Sequence, residues 1–275
     1  MVIKVLVENT AISTDFGTEH GLSLYIEKTK RDKILFDVGA STLFLKNAKK
    51  LNVNVADVDF LVISHGHCDH GGGLKTFLEV NTKAKVFMHR LAFGTYYSKR
   101  SNERLTCIGL DGSLKENKQM VFTSDRYHIN DNIQVFSNVV QKAPLPKSNR
   151  GLFMEYEGRV VSDTFKHEQN LVIEEDGKIL LVTGCAHNGI VNILDHFYSI
   201  NERMPDYVVG GFHLASRSAG NENLETIDSI GTYLLGTKAK FYTCHCTGLE
   251  PYKRLKSMMG DRIDYLLTGS EVILQ

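Results

Sequence analysis

The chain has 275 residues, 42% of them hydrophobic and 23% charged, a balance that excludes a disordered, collagen-like or membrane-spanning polypeptide. Lys plus Arg is 32 and Asp plus Glu is 32, so a formal net charge of zero gives no overall pull toward nucleic acid or an anionic membrane. Such a length suits one large α/β domain or two smaller ones, and either can bury a sizeable core.

Taken in order, the segments 2–7, 22–27 and 34–37 read as strands, followed by a helical pattern over 41–51 with Ser41 as its N-cap. The apolar run 60–63 is short enough for a buried strand and ends directly at Ser64-His65-Gly66-His67. A helix is predicted near 74–79 and a strand over 86–88. Residues 92–131 mix Gly, Asn, Lys and Ser with isolated apolar positions, and read as an irregular insertion near a pocket. Strands at 171–174 and 179–183 are joined by Glu175-Asp176-Gly177, a hairpin connection. Helices near 190–198 and 224–235 alternate with strands at 207–209 and 240–243, then come a helix after Pro251 and a strand at 265–268. Early β-rich segments followed by this alternation predict a single α/β domain with two central sheets and helices outside.

The most informative segment is His65-Gly66-His67-Cys68-Asp69-His70-Gly71-Gly72-Gly73. Imidazole nitrogens and a carboxylate oxygen suit Zn²⁺, Fe or Mn²⁺. On a tight loop His65 and His67 point one way while Asp69 and His70 point another, so one segment supplies two neighbouring metal positions. A solvated His-rich loop is the bland alternative, but with 11 His in 275 residues three within six positions is improbable by chance.

These residues resemble the HxHxDH signature of the metallo-β-lactamase superfamily, which implies a four-layer αββα sandwich with a mono- or dinuclear site at one edge. The resemblance extends to Phe36-Asp37-Val38-Gly39, where it implies that Asp37 supports the metal loop by hydrogen bonds. It extends also to His245, which it implies completes the second metal position. Thr183-Gly184-Cys185 stands where the family carries TGD, so Cys185 replaces a metal-bridging Asp. It is either a thiolate ligand or a small buried residue beside the site. A narrower likeness lies in His20-Gly21-Leu22-Ser23, Gly184-Cys185-Ala186-His187, Gly210-Gly211-Phe212-His213-Leu214 and His245-Cys246-Thr247-Gly248. Together they resemble the branch of 7,8-dihydropterin-6-yl-methyl-4-(β-D-ribofuranosyl)aminobenzene-5′-phosphate synthase-like proteins, which implies a pterin-like or phosphorylated substrate.

For the third His of the first metal position, His187 is preferred over His167, which lies nearer the family's usual location, because His187 belongs to the motif that resembles the branch and lies on a turn that opens a helix. His213, at a strand end, reads as a substrate-orienting or proton-donating group, a metal ligand, or a packed loop histidine; His20 reads similarly. Alternation along a strand would turn Cys244 and Cys246 away from His245, which argues against a CxHxC zinc site.

The expected function is a metal-dependent hydrolase using a metal-activated hydroxide on a small substrate. Asp69 would bind metal and orient the water, and His213 would protonate the leaving group. The alternatives are iron-dependent redox or lyase chemistry, motivated by Cys185, and a non-catalytic metal-stapled binding protein. One or two divalent ions are expected, zinc first, with iron or manganese as alternatives. The expected partner is a small molecule, with no nucleic acid and no membrane. Five cysteines without a CxxC pair read as reduced thiols, and the opening apolar run is too short for a signal peptide, so a cytoplasmic location is expected.

Overall fold

In the computed structural model, which describes residues 1–28, 32–100, 102–216 and 219–275, the strand Lys33–Phe36 buries Ile34 and Phe36 on one face and Leu35 on the other. The strand Ser23–Glu27 divides in the same way, with Leu24 and Ile26 opposite Tyr25. In Lys178–Val182, Leu180 and Val182 oppose Ile179 and Leu181. Strands apolar on both faces need cover on both. Four layers provide it.

The first sheet runs in the order Glu271–Ile273, Val2–Val7, Ser23–Glu27, Lys33–Phe36, Phe60–Val62, Lys85–His89, Met120–Thr123. The second runs Ile263–Tyr265, Lys240–Thr243, Tyr207–Gly210, Lys178–Val182, Asn170–Glu175, Ile133–Phe136, Arg126–Asn130. Ile3, Val5, Phe36 and Val62 from one sheet meet Val135, Leu171, Leu180 and Val182 from the other in the central core. Helices Leu43–Lys50 and Leu74–Val80 cover the outer face of the first sheet through Phe44, Leu74 and Phe77. Helices Ile190–Asn201, Leu224–Thr237 and Leu249–Met259 cover the second through Phe197, Leu234 and Leu255. The expected αββα sandwich is the observed one.

Each sheet contains a parallel run: Lys33–Phe36 through Met120–Thr123 in the first, and Lys178–Val182, Tyr207–Gly210, Lys240–Thr243 and Ile263–Tyr265 in the second. The carboxyl ends of parallel strands open onto a shared crevice, where α/β proteins place ligands. The segments after Phe36, Val62, Val182, Gly210 and Thr243 all emerge at such ends.

Several expectations need correction. Residues 92–131 are not irregular: they include strands Tyr96–Lys99, Leu105–Cys107, Met120–Thr123 and Arg126–Asn130. Two of these join Leu152–Tyr156 and Arg159–Ser162 in a separate four-stranded sheet. Ser41 does not cap its helix from the expected place. The helix begins at Leu43 after Thr42, while Ser41 Oγ accepts from the Leu43 N–H and is itself held by Glu19. The last strand expected at 265–268 lies at Ile263–Tyr265, and Thr268 makes only an isolated bridge to Ala11.

Candidate metal centre

One carboxylate anchors both ends of the loop after Phe60–Val62. Asp37 Oδ1 accepts from the Ser64 N–H at 2.7 Å, while Oδ2 accepts from Ser64 Oγ at 2.7 Å and pairs with His70 Nδ1 at 2.6 Å. With its proton committed to Asp37, Ser64 Oγ is the acceptor for His65 Nδ1 at 2.8 Å. Both imidazoles therefore carry the proton on Nδ1 in this pairing, and their Nε2 atoms face inward.

Two asparagines set two more histidines the same way. Asn149 donates Nδ2 to the His187 carbonyl at 2.7 Å, which turns its Oδ1 to His187 Nδ1 at 3.0 Å. Asn9 donates Nδ2 to the His245 carbonyl at 3.2 Å and presents Oδ1 to His245 Nδ1 at 2.9 Å. Four Nε2 atoms from distant parts of the chain are thus turned toward the same crevice. His65 Nε2 and His187 Nε2 stand 3.3 Å apart. Two nitrogens held at about 2.0–2.1 Å by one tetrahedral ion would stand at roughly this separation. His245 Nε2 and His67 Nε2 are buried with no hydrogen-bond partner among the described residues. The donor set fits a metal ion.

Asp69 Oδ2 lies 3.5 Å from His245 Nε2, 3.5 Å from His20 Nε2 and 3.7 Å from His70 Nε2. Burial opposes its charge, yet His70 and His245 hold its carboxyl well below the ordinary range. Cys185 is buried, its Sγ 3.1 Å from His70 Nε2, and burial pushes its thiol well up. Burial also disfavours the cation of His70, but the Asp37 and Asp69 carboxylates outweigh it and raise that imidazole to about 9. Burial, with the neighbouring imidazoles, pushes His65 and His187 well down.

His65, His67, Asp69, His70, His187, His245 and Cys185 therefore come together. His167 does not offer them a free nitrogen: its Nδ1 accepts from the Gly66 N–H at 2.9 Å and its Nε2 pairs with Asp163 Oδ2 at 3.1 Å. His20 is exposed at the mouth of a cleft of about 400 Å³ whose wall includes His67, Asp69, Cys185, His187 and His213. His213 is buried, with its ring centroid 4.3 Å from that of His187. The strand argument about 244–246 also needs correction, because His245–Thr247 is a 3₁₀ turn. Cys244 packs into the central core, while Cys246 joins the cleft wall.

The supporting residues Asn9, Asn149, Asp163, Glu8 and Glu168 carried no signal in the sequence. Glu8 Oε1 accepts from the His245 N–H at 2.8 Å, and Glu168 Oε1 accepts from the His187 N–H at 2.6 Å. Burial works against the charge of Asp163, yet the hydrogen bond from His167, with His67 nearby, holds its carboxyl far below the ordinary range. His67 Nε2 itself is 3.6 Å from Asp163, too long for a hydrogen bond.

Gly66 permits the loop's approach to its neighbours. A Cβ there would meet Ala92 O at 2.3 Å and Tyr96 Cε2 at 2.7 Å. Gly66→Ala is expected to destabilise the protein by about 1–3 kcal/mol, read as a lower melting temperature. An unchanged melting temperature would show that the loop has slack.

An αββα sandwich with His, Asp and Cys donors gathered at its strand ends defines a class of metal-site proteins. A sequence model described as the metallo-β-lactamase superfamily matches residues 17–109. The chain is 31% identical over 264 residues to the 7,8-dihydropterin-6-methyl-4-(β-D-ribofuranosyl)-aminobenzene-5′-phosphate synthase of Methanocaldococcus jannaschii, covering 90% of this chain and 88% of that one. An uncharacterized protein of the same organism is 29% identical over 262 residues, covering 94% of each. Among solved structures, a metal-dependent hydrolase of the β-lactamase superfamily superposes with a TM-score of 0.82 at 31% identity, covering 100% of this chain and 99% of that one. This chain belongs to the metallo-β-lactamase superfamily.

Proposed function

We propose that the protein is a metal-dependent hydrolase of a small, phosphate-bearing, pterin-like substrate. The observation that carries this reading is the set of histidines whose Nδ1 atoms are engaged by Asp37, Ser64, Asn9 and Asn149, leaving Nε2 toward the crevice. Such outer partners fix the tautomer and raise ligand basicity before a metal arrives. His65, His67 and His187 would hold one ion, and Asp69, His70 and His245 a second, with Cys185 between them. When bound, these ions supply Lewis acidity and acidify water to a nucleophile at neutral pH.

The chain's own groups divide the remaining work. Asp69, whose Oδ2 faces His20, His70 and His245, would help to orient a nucleophilic water. His20, at the mouth and 3.5 Å from Asp69, is held neutral by burial and by His245, which lower its pKa to about 4, and is placed to accept a hydrogen bond from a bound substrate. Lys99 and Arg100 line the cleft and supply cations suited to a phosphate. The similarity to a synthase whose name describes a phosphorylated pterin compound supports that substrate class.

The test is hydrolysis of aryl phosphate mono- and diesters by protein stripped with chelator and reloaded with zinc, manganese or iron(II). Activity is expected to vanish on stripping, return with metal, and fall by about 100-fold or more in folded His67→Ala. Equal rates in stripped and loaded protein would defeat the reading. The Cys185 thiol favours a second reading, redox or lyase chemistry at iron, because a soft ligand changes which metal is preferred. Protein purified without chelator that contains iron with a visible absorption band, and hydrolyses none of the esters, would support it.

A further inference from the structure

Beside the histidine cluster is a second convergence, which shares only Cys185 with the hydrolase reading. The Sγ atoms of Cys185 and Cys246 and a ring nitrogen of His213 lie within 4.8 Å of one another. All three residues are buried, with His213 only 8% exposed. Neither ring nitrogen of His213 has a hydrogen-bond partner among the described residues. Leaving a buried polar atom unpaired costs more than a typical hydrogen bond returns, so a buried imidazole with two bare nitrogens requires a reason. His213 also occupies the left-handed region at φ 51, which is uncommon for residues other than glycine although His enters it more often than most.

The surrounding backbone holds that conformation in place. The Gly211 N–H donates to the Gly184 carbonyl at 2.9 Å, and the Phe212 N–H donates to Thr247 Oγ1 at 2.9 Å. These bonds tie together the ends of three neighbouring strands, Lys178–Val182, Tyr207–Gly210 and Lys240–Thr243, each of which delivers one member of the trio. Cys246 Sγ fills the space beside Gly211, where a Cβ would come within 2.4 Å of the sulfur. The same thiol reaches the Cys185 carbonyl at 3.5 Å. The trio sits on strand-end loops that these bonds pin to one another.

We propose that Cys185, Cys246 and His213 form a further metal position, a two-thiolate, one-imidazole site for a borderline or soft ion such as Zn²⁺ or Fe²⁺. Two sulfurs and one nitrogen are a recognised donor set for such ions, which disfavours Mg²⁺ and Mn²⁺. Occupation requires both sulfurs as thiolates, releases to solvent whatever thiol proton the pair still holds, and changes no oxidation state. Cys185, which also faces His70, links this position to the histidine cluster. The hydrolase reading does not depend on it, and it depends on that reading only for the shared cysteine.

Two measurements on the full chain test the assignment, with Co²⁺ as the probe under reducing conditions. Titrating metal-free protein is expected to raise a near-ultraviolet thiolate-to-cobalt charge-transfer band. In Cys246→Ser, with circular dichroism confirming the fold, the band is expected to fall about two-fold and one fewer ion to bind. A band and stoichiometry unchanged in Cys246→Ser, or no band in the wild type, would overturn the assignment. The second measurement needs no cysteine variant. Iodoacetamide should modify Cys107, which is exposed, with or without cobalt, and should modify Cys246 only without it. Protection of Cys246 is expected to persist in His67→Ala, whereas equal modification with and without cobalt overturns the site. A protein that protects Cys246 but hydrolyses nothing would sink the hydrolase reading and leave this one intact.

Discussion

Asp37→Ala is expected to destabilise the metal-free protein by about 3–5 kcal/mol and to weaken metal binding by about 10–100-fold. Asp37 is fully buried and accepts from Ser64 N, Ser64 Oγ and His70 Nδ1 through its two oxygens. Truncation leaves a buried imidazolium without its counter-charge and a buried N–H without an acceptor, and each carries a desolvation cost. The backbone adds to the loss, because Asp37 sits at φ 58, a conformation that Asp and Asn tolerate better than Ala. For a chain of this size each kcal/mol lowers the melting temperature by about 2–4 °C, so the expected drop is about 6–20 °C. Asp37→Asn should fall between wild type and Ala, since it keeps the left-handed tolerance and one acceptor oxygen. The readouts are thermal unfolding and zinc competition against a chelating dye. Should the Ala variant melt with the wild type, the carboxylate does not organise the 64–70 loop.

The same residues explain what the sequence disclosed and what it withheld. His65, His67, Asp69 and His70 were legible because all four lie on one loop directly after a strand, so local spacing alone places them together. Asp37 and His245 were legible only through family resemblance, since nothing local ties them to that loop. The asparagines that orient His187 and His245 were invisible. Asn149 is 38 residues from His187 and Asn9 is 236 from His245, and an asparagine before its fold is known reads as a turn residue. The choice between His187 and His167 likewise depended on partners: His167 spends both nitrogens on Gly66 and Asp163. The four-stranded sheet escaped notice for another reason. Arg159–Ser162 is exposed along its whole length and Leu105–Cys107 nearly so, and strands that bury little carry no apolar alternation to read. Cys246 was missed because a strand period was applied to a segment that turns as a 3₁₀ helix.

The pH dependence of the metal-free protein should run opposite to that of metal uptake, and His70 sets both slopes. Burial disfavours its cation, but Asp37 and Asp69 raise its pKa from 6.5 to about 9 in the folded chain. A raised folded-state pKa stabilises fully below the unfolded value. The contribution is then lost as pH climbs through the folded value, so His70 takes stability from chelator-treated protein between pH 6.5 and 9. A smaller gain from Cys246 opposes it, because Cys185 and His213 hold that thiol below its ordinary range despite its burial. The His70 loss is about 3 kcal/mol by linkage, measurable as a falling urea midpoint across that window. Metal uptake asks the reverse of the same group. A ligand His70 must present a bare Nε2, and Cys185, whose thiol burial holds well above its ordinary value, must give up its proton. Zinc affinity should therefore rise with pH over the window in which the stripped protein weakens, with protons released on binding in weakly buffered solution. A urea midpoint that does not move between pH 6.5 and 9 would mean that Asp37 does not charge His70. Proton release would then have to come from the cysteines, and Asp37→Asn would leave its extent unchanged.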